Sequence, residues 1–296
     1  MRADKDNSSA SGLILMHKMP GITSFDSLRN IKHFLGTGKV GHTGTLDKFA
    51  EGLLLVLTGR ALKLSQIFTH SDKQYEAQIC FGSETDTLDP EGCIVSRAPL
   101  PSLEALEQAI PQFIGEIEQI PPAYSAIYMG GKRAADLVRR GEAVEMKKRP
   151  VSIYQLELLS WEPPFARIFV HCSCGTYIRS LARDIATTAG SRAHLSALLR
   201  TKIADFKLEE VVSPLTIFPI DKTVFDRLEI PCIEVNPENA ANLINGKPLT
   251  NILKSVSDEI AAVEKKSIAI FSNNKFIAMI ENKNNNWVYG FVYEGN

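Results

Sequence analysis

The chain has 296 residues, 44% of them apolar and 23% charged, with a formal net charge of −1. That composition supports a real core, and the length suits one large domain with a smaller one attached. No apolar run approaches the ~18 residues that cross a bilayer, which argues against a membrane span. A net charge near zero does not advertise a polyanion binder either, although affinity follows local charge.

Residues 1–11 are polar, lack the apolar core of a secretory signal, and are expected to be disordered. Gly12 to His17 reads as a short buried strand, and Lys18-Met19-Pro20-Gly21 as a turn. Thr23 or Ser24 can then cap a helix running to Leu35, with Phe25, Leu28, Ile31 and Leu35 on one face and Gly36 as its stop. Gly36 to Gly41 matches GxGxxG, the dinucleotide-binding pattern. A helix precedes it, no helix follows and residues 56–64 hold no acid, so a nicotinamide or flavin site is discounted.

Val40 to Leu57, VGHTGTLDKFAEGLLLVL, is the most informative stretch. Gly41, Gly44 and Gly52 sit within twelve residues, ahead of the apolar run Leu53–Leu57, which reads as a buried strand. Backbone this rich in glycine must turn tightly or approach something closely. On spacing alone Asp47 makes an Asx-turn and His42 is a solvated loop residue. The alternative is a loop on which a rigid scaffold displays a carboxylate and an imidazole to a ligand.

Ala61 to Phe68 resembles a short helix, and Tyr75, Ala77, Ile79 and Phe81 alternate along a strand opened by Ser71-Asp72-Lys73-Gln74. Glu84 to Gly92 is an acidic turn-rich loop whose glycine and glutamate positions do not fit an EF-hand. A helix over 103–114 is broken at Pro111. Residues 120–150 carry seven basic side chains (Lys132, Arg133, Arg139, Arg140, Lys147, Lys148, Arg149) against three acidic ones, with Gly130-Gly131 and Gly141 as hinges around a helix. Either this is a solvated hairpin or a clasp that orders on RNA phosphates; both readings leave it exposed.

Strands follow at Val151–Leu159 and Ala166–Cys174. Gly175-Thr176 then turns into a helix that Thr176 can cap, with Ile178, Leu181, Ile185 and Ala189 as its buried stripe. Arg179 falls in the first turn, where the helix dipole disfavours a cation by a few tenths to about 1 kcal/mol. An anionic partner would offset that. Ala193 to Thr201 leads into a strand near Ile203–Leu208. From Pro231 the texture changes to a strand, a short helix ending at Gly246, and strands at 267–272, 274–281 and 287–293. Five cysteines without a CxxC pair and scattered histidines point to a reduced, cytoplasmic protein with no structural disulfide and no metal.

Four blocks, in order, resemble the TruB-type tRNA pseudouridine synthases: Lys18-Met-Pro20-Gly21, Gly41-His-Thr-Gly-Thr-Leu-Asp47, Asp72-Lys73-Gln74-Tyr75 and Cys172 to Leu181. The PPAYSAI and AHLxxLxRT stretches match as well. Departures are His17 for the usual Asp, Met19 for Pro, Leu199 for Arg, and Lys48, Phe49 and Glu51 for Pro, Leu and a small hydroxyl residue. Losing that proline should loosen the loop. The tail looks loosely like a PUA-type RNA-binding domain.

The resemblance implies an α+β fold: a pseudouridine-synthase-like mixed β-sheet catalytic domain over 12–230 with flanking helices and an RNA-contacting insertion at 120–150. A small β-rich PUA-like domain would occupy 231–296. It implies that Asp47 is the essential catalytic carboxylate, Arg179 its partner, and Tyr75 the group lying against the base and assisting loss of its C5 proton. Tyr177 and Leu198 would line the base pocket, His42 would fill the gap left by the flipped base, and Lys18 would support the site. Extruding a base costs a few kcal/mol and needs aromatic and apolar faces to receive it. Isomerisation changes no redox state, so no cofactor is expected; the partner is the T-stem-loop of tRNA, and the protein is expected to be a monomer. The rival expectation is a tRNA-folding chaperone on the same scaffold.

Overall fold

The computed structural model describes residues 11–213, 215–250, 252, 260, 266–284 and 286–293. From the N-terminus come β1 (Gly12–Lys18), α1 (Arg29–Leu35), β2 (Val40–His42), β3 (Glu51–Thr58), α2 (Ser65–Thr69) and β4 (Lys73–Phe81). A small hairpin of β5 (Ser83–Thr85) and β6 (Ile94–Arg97) precedes α3 (Leu103–Ala109) and β7 (Gly115–Gln119). The basic insertion holds β8 (Tyr128–Met129), β9 (Lys132–Arg133) and α4 (Ala134–Arg139). Then come β10 (Arg149–Glu162), β11 (Phe165–Cys172), α5 (Ile178–Thr188), β12 (Ala193–Ile203), β13 (Phe206–Lys207) and α6 (Lys222–Arg227). The C-terminal part adds β14 (Cys232–Glu234), α7 (Pro237–Ile244), β15 (Ser267–Ser272), β16 (Lys275–Lys283) and β17 (Asn286–Val292).

The main sheet runs β1-β3-β12-β4-β11-β10-β7, with β2 added on β3 and β13 on β12. Its pairs are antiparallel except β12 with β3, which run parallel. The alternation along β4 puts Tyr75, Ala77, Ile79 and Phe81 on the buried face, where Leu181, Ala182, Ile185 and Ala186 of α5 pack on them. Each large apolar side chain buried here contributes about 1.5–3 kcal/mol. On the other side of β1 and β3 a second cluster forms, and it includes Phe271, Phe276 and Met279 of the separate sheet β14-β15-β16-β17. The α+β class with a mixed sheet, flanking helices and a separate C-terminal β-sheet is as the sequence implied.

Three local expectations need correcting. Phe25 does not join Leu28, Ile31 and Leu35 on the buried face of α1; it is 68% exposed, with the Lys32 ammonium 4.4 Å from its ring centroid. The residue is the cap ahead of the 3-10 turn Asp26–Leu28, outside the helical turns themselves, so helical spacing does not carry to it. Thr176 does not cap α5: Tyr177 is the cap residue, and the Thr176 hydroxyl donates to Ser173 O. Ala193–Thr201 is not a lead-in but most of β12 itself, where a bulge between Leu195 and Ala197 breaks the period-two pattern.

Candidate active site

The loop between β2 and β3 is pinned on both sides of Asp47. Ser24, fully buried rather than capping α1, accepts from Leu46 N–H at 2.9 Å and donates to Leu46 O at 3.0 Å. Beyond the aspartate, Ala50 N–H donates to Asp47 O at 3.2 Å and Gly21 N–H to Lys48 O at 2.8 Å. The Lys18 ammonium, buried under this loop, donates to Ala50 O at 2.6 Å and Met19 O at 3.1 Å. Leu46 and Ala50 are core residues, so the loop is anchored by apolar packing while Asp47 stays 35% exposed at its tip.

Arg179, 4% exposed in the first turn of α5, reaches Asp47 from below. Its Nη2 donates to Asp47 Oδ1 at 3.0 Å and its Nε stands 2.9 Å from Oδ2. Nη1 donates to Thr87 O at 2.8 Å and to Asp89 Oδ2 at 3.2 Å, and Nη2 also to Tyr124 O at 3.1 Å. The guanidinium is thus shared by two carboxylates, a geometry its planar fork suits. Asp89, 7% exposed, was not singled out from sequence: it sits in the acidic loop, ninety residues from Arg179. The local signal was there in Thr87, whose hydroxyl donates to Asp89 Oδ1, and in Glu91 N–H, which donates to the same oxygen at 3.0 Å.

Burial pushes the Asp47 carboxyl above its usual range, Arg179 opposes that, and Asp89 adds to the rise. Tyr75, 7% exposed on β4, has its phenol pushed up to about 12 by burial, with the neighbouring Arg200 guanidinium opposing. It is therefore a neutral phenol near pH 7. Lys18 is pushed down by burial against the attraction of Asp47, and His42 is pushed down by burial and Arg200. The His42 Nδ1 is buried without a hydrogen-bond partner, in a half-buried ring at the end of β2.

Leu198 on β12 packs in the same cluster as Tyr75, Leu46, Ala50 and Ile178. Tyr177 caps α5, half-buried, and is held by Gln119, which the sequence reading passed over: Gln119 Nε2 donates to Tyr177 O at 3.1 Å and Tyr177 N–H to Gln119 Oε1 at 2.8 Å. The structure thus brings together Asp47, Arg179 and Asp89 by direct contact, and Tyr75, Leu198 and the loop around Asp47 by shared packing. All seven basic residues of the insertion are exposed; Arg139 pairs with Asp136 at 3.2 Å, Arg133 lies 5.9 Å from the Tyr128 ring centroid, and Arg149, the cross-strand neighbour of Gln119, is the one near enough to act on the Tyr177 phenol. The motif departures also find partners, His17 near Glu51 at 3.7 Å and Lys48 with Glu91 at 3.3 Å. Among the described residues no cluster of three or more metal-ligating side chains occurs, and no helix is long and apolar enough to cross a membrane.

The fold is shared with a chain in the crystal structure of a Cbf5–Nop10–Gar1 complex, at a TM-score of 0.64 and 23% identity, over 91% of this chain and 78% of that one. The model of the TruB family pseudouridylate synthase N-terminal domain matches residues 32–178. The tRNA pseudouridine synthase B of Borreliella afzelii (strain PKo) is 39% identical over 269 residues, 86% of this chain and 95% of that protein. The corresponding protein of Treponema pallidum (strain Nichols) is 43% identical over 227 residues, 69% of this chain; the match spans 62% of that relative's length. The chain belongs to the TruB family of pseudouridylate synthases.

Proposed function

We propose that this protein is a tRNA pseudouridine synthase that isomerises the T-loop uridine after flipping it out of the folded loop, with Asp47 as the essential carboxylate. The observation that carries this reading is the Asp47–Arg179 pair: an acid displayed at a loop tip, one-third open to solvent, and oriented by a nearly buried guanidinium. Names of relatives such as tRNA pseudouridine synthase B support the substrate class.

In this reading Asp47 drives cleavage of the N-glycosidic bond, acting as nucleophile or as acid-base group, and Arg179 fixes its carboxylate in one geometry. Its raised pKa keeps it more basic than an ordinary aspartate, which suits either role. Tyr75, Tyr177 and Leu198 receive the extruded base, Lys18 holds the loop from beneath, and His42 takes the vacated position in the RNA. The basic insertion between 120 and 150 contacts phosphates, and residues 231–296 act as an accessory RNA-binding unit. No cofactor is needed for a reaction that moves one proton and exchanges one bond.

The test is release of tritium from C5 of uridine in unmodified tRNA. Wild type should release label and Asp47→Ala should not, while both bind tRNA. Equal binding with no release by either would leave a folding chaperone as the function. Mapping pseudouridine in tRNA from cells lacking this protein identifies the position.

A further inference from the structure

Arg200 is the largest fully buried side chain among the described residues, 1% exposed. On β12 it is the cross-strand neighbour of Tyr75 on one side and Gly52 on the other. Its Nε donates to Leu53 O at 2.8 Å and its Nη2 to Gly44 O at 3.1 Å, and the guanidinium also lies against the Tyr75 hydroxyl. The loop ahead of Asp47, the strand behind it and the phenol therefore converge on one cation.

No carboxylate pairs with Arg200 among the described residues; the one acting on it through space is Asp47, already paired with Arg179. Burying a charge without a counter-ion is costly, and main-chain carbonyls meet only part of the need. Counting the ionisable groups that act on the loop gives four anions, Asp47 and Asp89 with the more exposed Glu51 and Glu91, against five cations, Lys18, Lys73, Arg179 and Arg200 with the more exposed Lys48. The site thus holds one surplus positive charge, in a low-dielectric setting where it acts strongly. An arrangement of this kind suits an anion that exists only during reaction.

Isomerisation makes such an anion. When C1′–N1 breaks, its electron pair leaves with the uracil, whose negative charge spreads over N1, O2 and O4. The pair then formed between C5 and C1′ is followed by loss of the C5 proton and gain of one at N1, so nothing is oxidised or reduced. Resting on the isomerase reading above, we infer that Arg200 is a positioning residue that offsets the charge of the departing uracil. It does so through Tyr75, by holding the phenol oxygen as an acceptor on the buried side so that the phenol proton faces the base.

The experiment compares T-stem-loop RNA carrying uridine or 5-fluorouridine at the target position, following loss of the starting nucleoside under single-turnover conditions. 5-Fluorouracil is the more acidic base and needs less help to leave. Arg200→Gln should slow uridine consumption roughly 100-fold, and 5-fluorouridine consumption by no more than about a tenth of that factor, with Arg200→Lys close to wild type for both. Equal slowing of the two nucleosides overturns the inference. Adding Arg200→Gln to Tyr75→Phe should slow uridine by less than about 3-fold more, because both act on one interaction; a full additive loss overturns the route through Tyr75. If Arg200→Gln does not fold, Tyr75→Phe decides alone: it should slow uridine more than 5-fluorouridine, and equal slowing again overturns the role. Wild type that consumes neither nucleoside overturns the isomerase reading itself.

Discussion

Arg179→Met keeps most of the side-chain volume and removes every donor. It strands Asp89, 7% exposed and 3.2 Å from Nη1, together with Asp47, 35% exposed and 2.9 Å from Nε. Removing one side of a buried ion pair costs about 3–5 kcal/mol, and Asp89 should carry most of it, since Asp47 can turn toward water. Thr87 O and Tyr124 O lose a donor each, at about 1 kcal/mol apiece, partly replaced by solvent. Against a total stability of about 5–15 kcal/mol the variant should remain folded but unfold at clearly lower urea. Arg179→Met/Asp89→Asn should recover about 2 kcal/mol of the loss, because the neutral amide needs no counter-charge. Urea unfolding followed by circular dichroism measures both. Turnover in either variant should be at least about 100-fold down, since Asp47 loses its orientation. A stability loss under about 1 kcal/mol, or no recovery in the double variant, would refute a shared, buried guanidinium as the organiser of the site.

Asp47→Asn should abolish turnover and remove the part of the pH dependence of stability that this carboxyl contributes, so that wild type loses stability relative to the variant as pH rises from the ordinary carboxylate range through the raised pKa. The loss begins at the ordinary carboxylate pKa and is complete above the raised one, and thermal unfolding of both proteins at several pH values checks the change in their difference. Gly52 has φ +117° and a Cβ there would lie 2.3 Å from Arg200 O, so Gly52→Ala should cost more than about 2 kcal/mol. Gly44→Ala meets only Arg200 Nη1, at 3.7 Å, and should be near neutral; parallel denaturant curves that do not separate the two would contradict the described packing. Reversing the charges of Lys147, Lys148 and Arg149 should weaken tRNA binding and flatten its salt dependence, read from filter binding at several salt concentrations.

The strands and the central loop were legible because they rest on local pattern. Alternation over 75–81, the apolar run 53–57 and the glycines around Asp47 each encode their own conformation. What failed depended on distant partners. Asp89 looked like one acid among several until Arg179 arrived from α5 to neutralise it. Ser24 was a plausible helix cap, and its hydroxyl is instead used on Leu46, twenty-two residues away. Arg200 sat in a motif with no sign that a charged side chain would be interior, since its solvation comes from carbonyls of β3 and the Asp47 loop. Helix-dipole reasoning did ask for an anion near Arg179, though it could not show that there would be two.

The apolar cluster beneath β1 and β3 joins Leu13, Leu53 and Phe68 to Phe271, Phe276 and Met279 of the C-terminal sheet, with Phe225 of α6 between them. β3 is also the strand that leaves the loop bearing Asp47. Cutting the chain after α6 would therefore bare greasy surface directly behind that loop. A truncated form that fails to modify RNA would say as much about a collapsed foundation as about a lost grip on the nucleic acid, so point changes on the outer face of the C-terminal sheet are the cleaner instrument.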